Sequence, residues 1–174
     1  MSSIDLIILG IIKKSPMSPY DINQLIEVNR INSWVKISTP ALYQNVKKLA
    51  VKGYLSYVAV KKGEMPEKKI YSITHKGDEY FFKLMQKYSS DPAIVHAEYN
   101  TVILHLDLVD KKTGQELLKN LRGHFLAIKE ILSPFKDSID NYPFSGRAII
   151  KQHSMLIHYL LEWIDEIIRE HAAQ

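Results

Sequence analysis

The sequence predicts a mainly α-helical chain: a winged helix-turn-helix, built from three helices plus a two-stranded β-hairpin wing, followed by an all-helical C-terminal domain. Three observations lead there. Apolar residues recur at helical spacing in three short segments before Gly53, the period changes to that of strands between Tyr54 and Ile73, and it returns to that of helices from Thr74 onward. The expected division is 1–76 for the winged helix-turn-helix and 77–174 for the helical C-terminal domain.

The first helix is expected over Ile4–Lys14, capped by Ser3, with Lys13 and Lys14 at the negative end of its dipole and Pro16 as its stop. The second starts at Ser18, with Pro19 in the first helical position and Asp21 completing a capping box; Ile22, Leu25 and Ile26, with Val28 at the edge, form its expected buried stripe, and it fades near Asn29 to Asn32. The third has Thr39 as cap, Pro40 as its first residue and Gly53 as its stop. Leu42, Val46 and Leu49 share one face of it, and Tyr43, Gln44, Lys47 and Lys48 the other. Strands follow at 54–60 and 68–73 around a polar turn with Gly63 and Pro66. Thr74 caps a helix to about Tyr88. Asp91 and Pro92 start another that ends near Val109. Thr113-Gly114-Gln115-Glu116 reads as a capping box opening a long helix that Pro134 kinks or ends. A final helix is expected over about Gly146–Ala172.

Composition narrows the function. The 174 residues include no cysteine, which excludes disulfides, thiolate metal sites and cysteine nucleophiles. No cation precedes the apolar run of Ile4 to Ile12, unlike a signal peptide, and no run reaches a membrane span, so a cytoplasmic protein without membrane partners is expected. Charge is segregated: residues 1–76 hold 12 Lys and Arg against 5 Asp and Glu, a net +7, while residues 77–174 hold 11 against 14, a net −3. A basic half joined to an acidic half suits one half meeting a polyanion.

The third helix and the hairpin are where such contact is expected. A helix apolar on one face and basic on the other fits the major groove of B-DNA. Lys47 and Lys48 can neutralise phosphates or reach guanine edges, Gln44 can pair with adenine, and Tyr43 can donate its hydroxyl to a phosphate. The first amides of the helix, near Thr39 and Ala41, offer a further phosphate site. Lys61, Lys62, Lys68 and Lys69 place four cations around the wing. Each feature alone is ordinary solvated surface; their joint placement on two adjacent elements favours double-stranded DNA as the partner.

The same residues resemble the PadR family of transcriptional regulators. The matching stretches are Ile4–Ile12, Pro19-Tyr20-Asp21-Ile22, Trp34, the run from Thr39 to Leu49, Gly53-Tyr54-Leu55, and Lys69-Ile70-Tyr71-Ser72-Ile73-Thr74-His75-Lys76-Gly77. The chain departs from the family at Ile37-Ser38-Thr39-Pro40, where a glycine often precedes Thr or Ser, and at Pro19, where a glycine usually precedes the tyrosine. The resemblance implies Tyr43, Lys47 and Lys48 as recognition-helix residues and Lys61, Lys62, Lys68 and Lys69 as wing residues. The remainder is similar to the long-tailed branch of the family, which includes virulence-gene activators and dimerises through its helical C-terminal region. It also implies a small aromatic or hydrophobic effector, for which Trp34, Tyr88, Tyr99 and Phe125 are the aromatic candidates, although packing roles suit them better.

The last helix is apolar over a wide arc, and Ile149, Leu156, Leu160, Trp163, Ile164 and Ile167 are the expected dimer interface. A homodimer would read a pseudo-palindromic operator with two half-sites. No enzyme motif competes: His153 and His158 are five residues apart, and neither HExxH, GxSxG nor a glycine-rich phosphate loop occurs. Glu162, Asp165, Glu166 and Glu170 read as a solvated face, and neither metal nor cofactor is expected. The competing function is a protein-interaction adaptor or a small-molecule sensor whose winged helix does not bind DNA directly.

Overall fold

Helix α1 (Ser3–Lys14) begins one residue earlier than expected, because the Ser2 side chain, not that of Ser3, accepts the Ile4 amide. The computed structural model describes residues 2–33, 35–61, 67–91 and 97–173. They form two compact units, Met1–Ile94 and Val95–Gln174.

In the first unit, α2 (Pro19–Val28) opens with the expected capping box: the Ser18 side chain accepts the Asp21 amide, and the Asp21 carboxylate accepts the Ser18 amide, each at 3.3 Å. Asn29 caps its far end, and Arg30 follows at φ 49°, the left-handed conformation that helix exits use. Helix α3 (Thr39–Val51) is capped by Ser38, whose Oγ accepts the Ala41 amide, so Thr39 and Pro40 are its first two residues. Its exit is a Schellman turn: Gly53 at φ 74° donates to Ala50, and Tyr54 donates to Leu49, both at 2.9 Å.

Strands β1 (Leu55–Val60) and β2 (Lys68–Ile73) pair antiparallel from Leu55 opposite Ile73 to Val60 opposite Lys68. The free edge of β2 is met by Met17, which exchanges both backbone hydrogen bonds with Tyr71, at 3.1 and 2.9 Å. β1 is therefore the outer strand, and Leu55 alone of its residues is buried. Helix α4 (His75–Ser90) follows at once, with Thr74 capping the Gly77 amide.

These elements close over one core of Ile8, Leu9, Ile12, Ile22, Ile26, Leu42, Val46, Leu49, Leu55 and Leu84, with Tyr80, Phe81 and Tyr88 packed against it. Each such side chain contributes about 1.5–3 kcal/mol by leaving water. Leu84 sits in this core, so α4 belongs to the first unit and the compact boundary falls at 94, not at 76. Asp5 is buried here as well. Tyr80 donates to its Oδ2 at 3.3 Å, and burial, reinforced by that carboxylate, pushes the Tyr80 phenol up to about 12, keeping it a neutral donor.

The second unit is a helical pair with a short lead-in. α5 covers only Asn100–Leu104 and is followed by a 3-10 turn at Leu106–Leu108, so the single helix expected from Pro92 to Val109 is corrected; Pro92 itself lies outside the described residues. Helix α6 (Lys111–Asp137) starts earlier than expected because Asp110 takes the cap, accepting from the amide and hydroxyl of Thr113. Pro134, expected to kink or end this helix, lies inside it, and α6 continues through Asp137. Helix α7 (Phe144–Ala173) packs back along α6. Leu106, Leu118, Phe125, Ile157, Leu161 and Ile164 form their shared core, with Tyr99, Leu160, Trp163 and Ile167 against it. Tyr88 in the first core and Tyr99 and Phe125 in the second are thus packing residues; Trp34 lies outside the described residues.

Candidate nucleic-acid interface

Leu42, Val46 and Leu49 anchor α3 in the first core and turn its other face outward. Tyr43, Gln44, Lys47 and Lys48 are all exposed on that face. Thr39 is placed differently from expectation. Its hydroxyl donates to Asn23 Oδ1 on α2 at 3.1 Å, tying the two helices together. The expected phosphate site at the start of α3 also shrinks, because Ser38 holds the Ala41 amide and Pro40 has none.

The hairpin sorts its cations by side. Residues alternate along a strand. Lys69 lies over the Tyr57 ring, 4.5 Å from its centroid, and Lys69, Tyr57, Ser56 and Tyr71 line an open groove of about 330 Å³ whose other wall is Lys47, Ala50 and Val51 of α3. Lys68, on the opposite face, reaches Asp21 of α2 at 2.9 Å. Lys61 is exposed at the end of β1, and Lys62 lies outside the described residues. The geometry therefore brings Lys47 and Lys69 together across one groove and takes Lys68 away from it. Ser56 and Tyr57, which line that groove, escaped the sequence reading; the signal was their position opposite Tyr71 and Ser72 once the register is known.

Asp21 is the electrostatic centre of this side. The Lys68 ammonium holds its carboxyl below the usual range; partial burial opposes this, and the Ser18 hydroxyl and amide reinforce it. A carboxyl whose pKa is lowered by folding stabilises the fold above its unfolded value, and that contribution is lost as pH falls through the folded one. Asp21→Asn is therefore expected to lower stability at pH 7 and to lose that deficit as the pH falls below about 4. Ser18→Ala should cost about 1 kcal/mol at neutral pH. Urea unfolding of the three proteins at pH 7 and 3 checks both; a pH-independent Asp21→Asn deficit would contradict an origin in the charged Asp21 carboxylate and its Ser18 cap.

In the second unit, the acidic face of α7 is partly paired: Asp165 accepts from Arg122 of α6, which holds its carboxyl low, and Glu162 meets His158 at 3.2 Å. Among the described residues no three His, Asp or Glu side chains converge to hold a metal, and no helix is long and apolar enough to cross a membrane. Of the expected dimer residues, Ile164 is fully buried in the chain's own core and has no surface to offer a partner. Ile149, Leu160, Trp163 and Ile167 are half-buried, and Leu156 is 48% exposed. Met155 and Tyr159 beside Leu156 are each 63% exposed.

A three-helix core, a hairpin on its edge and a basic outer face on the third helix define a winged-helix protein with a helical extension. Residues 8–83 match the model of the transcriptional regulator PadR-like family. Over that stretch the chain is similar to the PadR-like family of transcriptional regulators. The negative transcriptional regulator PadR of Bacillus subtilis (strain 168) is 23% identical over 113 residues, 65% of this chain and 62% of that protein, so the match spans less than two thirds of the relative's length. The fold likeness is more extensive. The crystal structure of Bacillus subtilis PadR in complex with operator DNA has a TM-score of 0.84 at 18% identity over 98% of each chain. That protein in complex with p-coumaric acid gives 0.83 at 15% identity, over 97% of this chain and 98% of that one. The Vibrio cholerae virulence activator AphA gives 0.75 at 16% identity, over 98% and 99%.

Proposed function

We propose that the protein is a sequence-specific DNA-binding transcriptional regulator that acts as a homodimer. The observation that carries this reading is the outward face of α3, where Tyr43, Gln44, Lys47 and Lys48 stand exposed beside a groove that Lys47 shares with Lys69. α3 enters the major groove, and the wing, with Lys61, Lys62 and Lys69, follows the flanking backbone. The Bacillus relative solved on operator DNA supports the choice of partner.

The C-terminal unit supplies the dimer contact, and the exposed strip of Met155, Leu156 and Tyr159 on α7 is its centre, with Ile149, Leu160, Trp163 and Ile167 contributing edges. Two winged helices held at fixed spacing read a pseudo-palindromic operator. A small aromatic or hydrophobic effector fits as the input, by analogy with the relative solved with p-coumaric acid. Tyr99 and Phe125 are committed to the second core and are not its open walls. The protein works in the cytoplasm, where its operator would be.

Fluorescent duplexes from the DNA upstream of its gene, titrated at 50 and 200 mM salt with wild type and with a Tyr43→Ala/Lys47→Ala variant, test the reading. Wild type should prefer one sequence and bind it more weakly at high salt; the variant should lose about tenfold or more and show a shallower salt dependence. A folded wild-type dimer that binds no duplex at low salt, with or without phenolic acids, would favour the adaptor reading.

A further inference from the structure

Lys68 has the sequence signature of a phosphate contact and the geometry of something else. Its ammonium lies 2.9 Å from Asp21 Oδ1. The other oxygen of that carboxylate accepts the Ser18 hydroxyl at 2.8 Å and the Ser18 amide at 3.3 Å. One carboxylate thus holds the start of α2 and the wing together.

The placement along the strand gives this contact its use. The hairpin is fastened to the body at its inner end, by Leu55 and Tyr71 in the core and by the Met17 bridge to Tyr71, and the ribbon beyond Tyr71 can pivot about that end. Lys68 is three residues further out, about 10 Å along β2, opposite Val60 at the outer end of the pairing. A second fastening at that distance fixes a direction as well as a point. Lys69, on the opposite face, remains over Tyr57 and beside the α3 groove.

We propose that the Lys68–Asp21 pair is a strut that sets the angle of the wing, and that Lys68 serves DNA binding as a positioning residue without touching phosphate. This rests on the DNA-binding reading above. Both side chains are partly solvated, so the pair adds little to global stability. Its effect is on where the wing, with Lys69 and Lys61, stands when α3 is in the groove.

The test uses the full chain and a duplex enriched by the wild-type protein from a random pool. Affinities are measured between 50 and 200 mM salt for wild type, Lys68→Met, Asp21→Asn and the double variant. A strut requires that each single change weaken binding by a similar factor, about 2–5-fold, that the double variant be no worse than either, and that the slope of log K against log salt stay that of wild type. A phosphate contact gives the opposite pattern: Lys68→Met alone lowers the slope by about 1, and Asp21→Asn leaves binding unchanged or tighter. That result overturns the proposal.

Amide hydrogen exchange of the free protein provides an arm independent of DNA. Both single variants should speed exchange at the outer end of β2 and leave Tyr71 protected; unchanged exchange there also overturns the strut. If the wild type enriches no duplex, the DNA-binding reading fails on its own, and the exchange arm still decides whether the pair holds the wing.

Discussion

Gly77→Ala is expected to destabilise the first unit by about 3–5 kcal/mol, which for a single marginally stable unit is the difference between folded and unfolded. A Cβ at this position would stand 2.0 Å from the Tyr54 carbonyl oxygen, 3.0 Å from its carbon and 2.9 Å from Ile73 Cγ1. Two of those atoms are backbone, and neither can swing away. The Tyr54 carbonyl is fixed because it accepts the Thr74 amide at 3.1 Å, and the Thr74 hydroxyl donates to Gly53 at 2.8 Å. The exit of α3, the end of β2 and the first turn of α4 therefore meet at one place with no room for a methyl group.

Gly53→Ala makes the useful contrast. Nothing lies within 4 Å of its added Cβ, and only the φ of 74° is unfavourable, so the cost should be about 1–2 kcal/mol. Urea midpoints of the two variants check the ranking. Equal midpoints for Gly77→Ala and wild type would mean that α4 does not start against Tyr54.

That junction also shows what the sequence makes legible. Thr74 and Gly77 are visible as a cap and a special residue, and the period switch on either side locates strand and helix, because both signals are local. The misplaced helix starts come from competition between neighbours: Ser38 outbids Thr39, and Asp110 acts before Thr113, where either side chain is chemically competent. The partner of Lys68 was not legible for a different reason. Its partner Asp21 is 47 residues away, and a lysine in a basic hairpin looks the same whether it is paired or free. Ile164 and Leu156 lie on one wide apolar arc of α7, and the pattern says that the arc is buried without saying which part faces α6. Only the packing separates the fully buried residue from the half-exposed one.

The second large effect is expected at Phe125→Ala in that same pair of helices. Phe125 is 2% exposed and meets Tyr99 edge-on, with ring centroids 5.2 Å apart. Removing the ring should cost about 3–5 kcal/mol from transfer and cavity terms together, and the aromatic contact is included in that loss. The unit has few ways to absorb it, since its core holds six buried residues among those described, five of them on α6 and α7. Hydrogen exchange should rise along α6 and α7 and stay low in α1 and α3, whose core contains none of these side chains. If the C-terminal unit holds the dimer, the variant should also sediment as a monomer. Its operator affinity should then fall toward that of a single winged helix, because two half-sites no longer bind as one. Retained dimer and retained exchange protection in Phe125→Ala would mean that the α6–α7 core is organised around other side chains. Lost protection with an intact dimer would place the dimer contact outside α7.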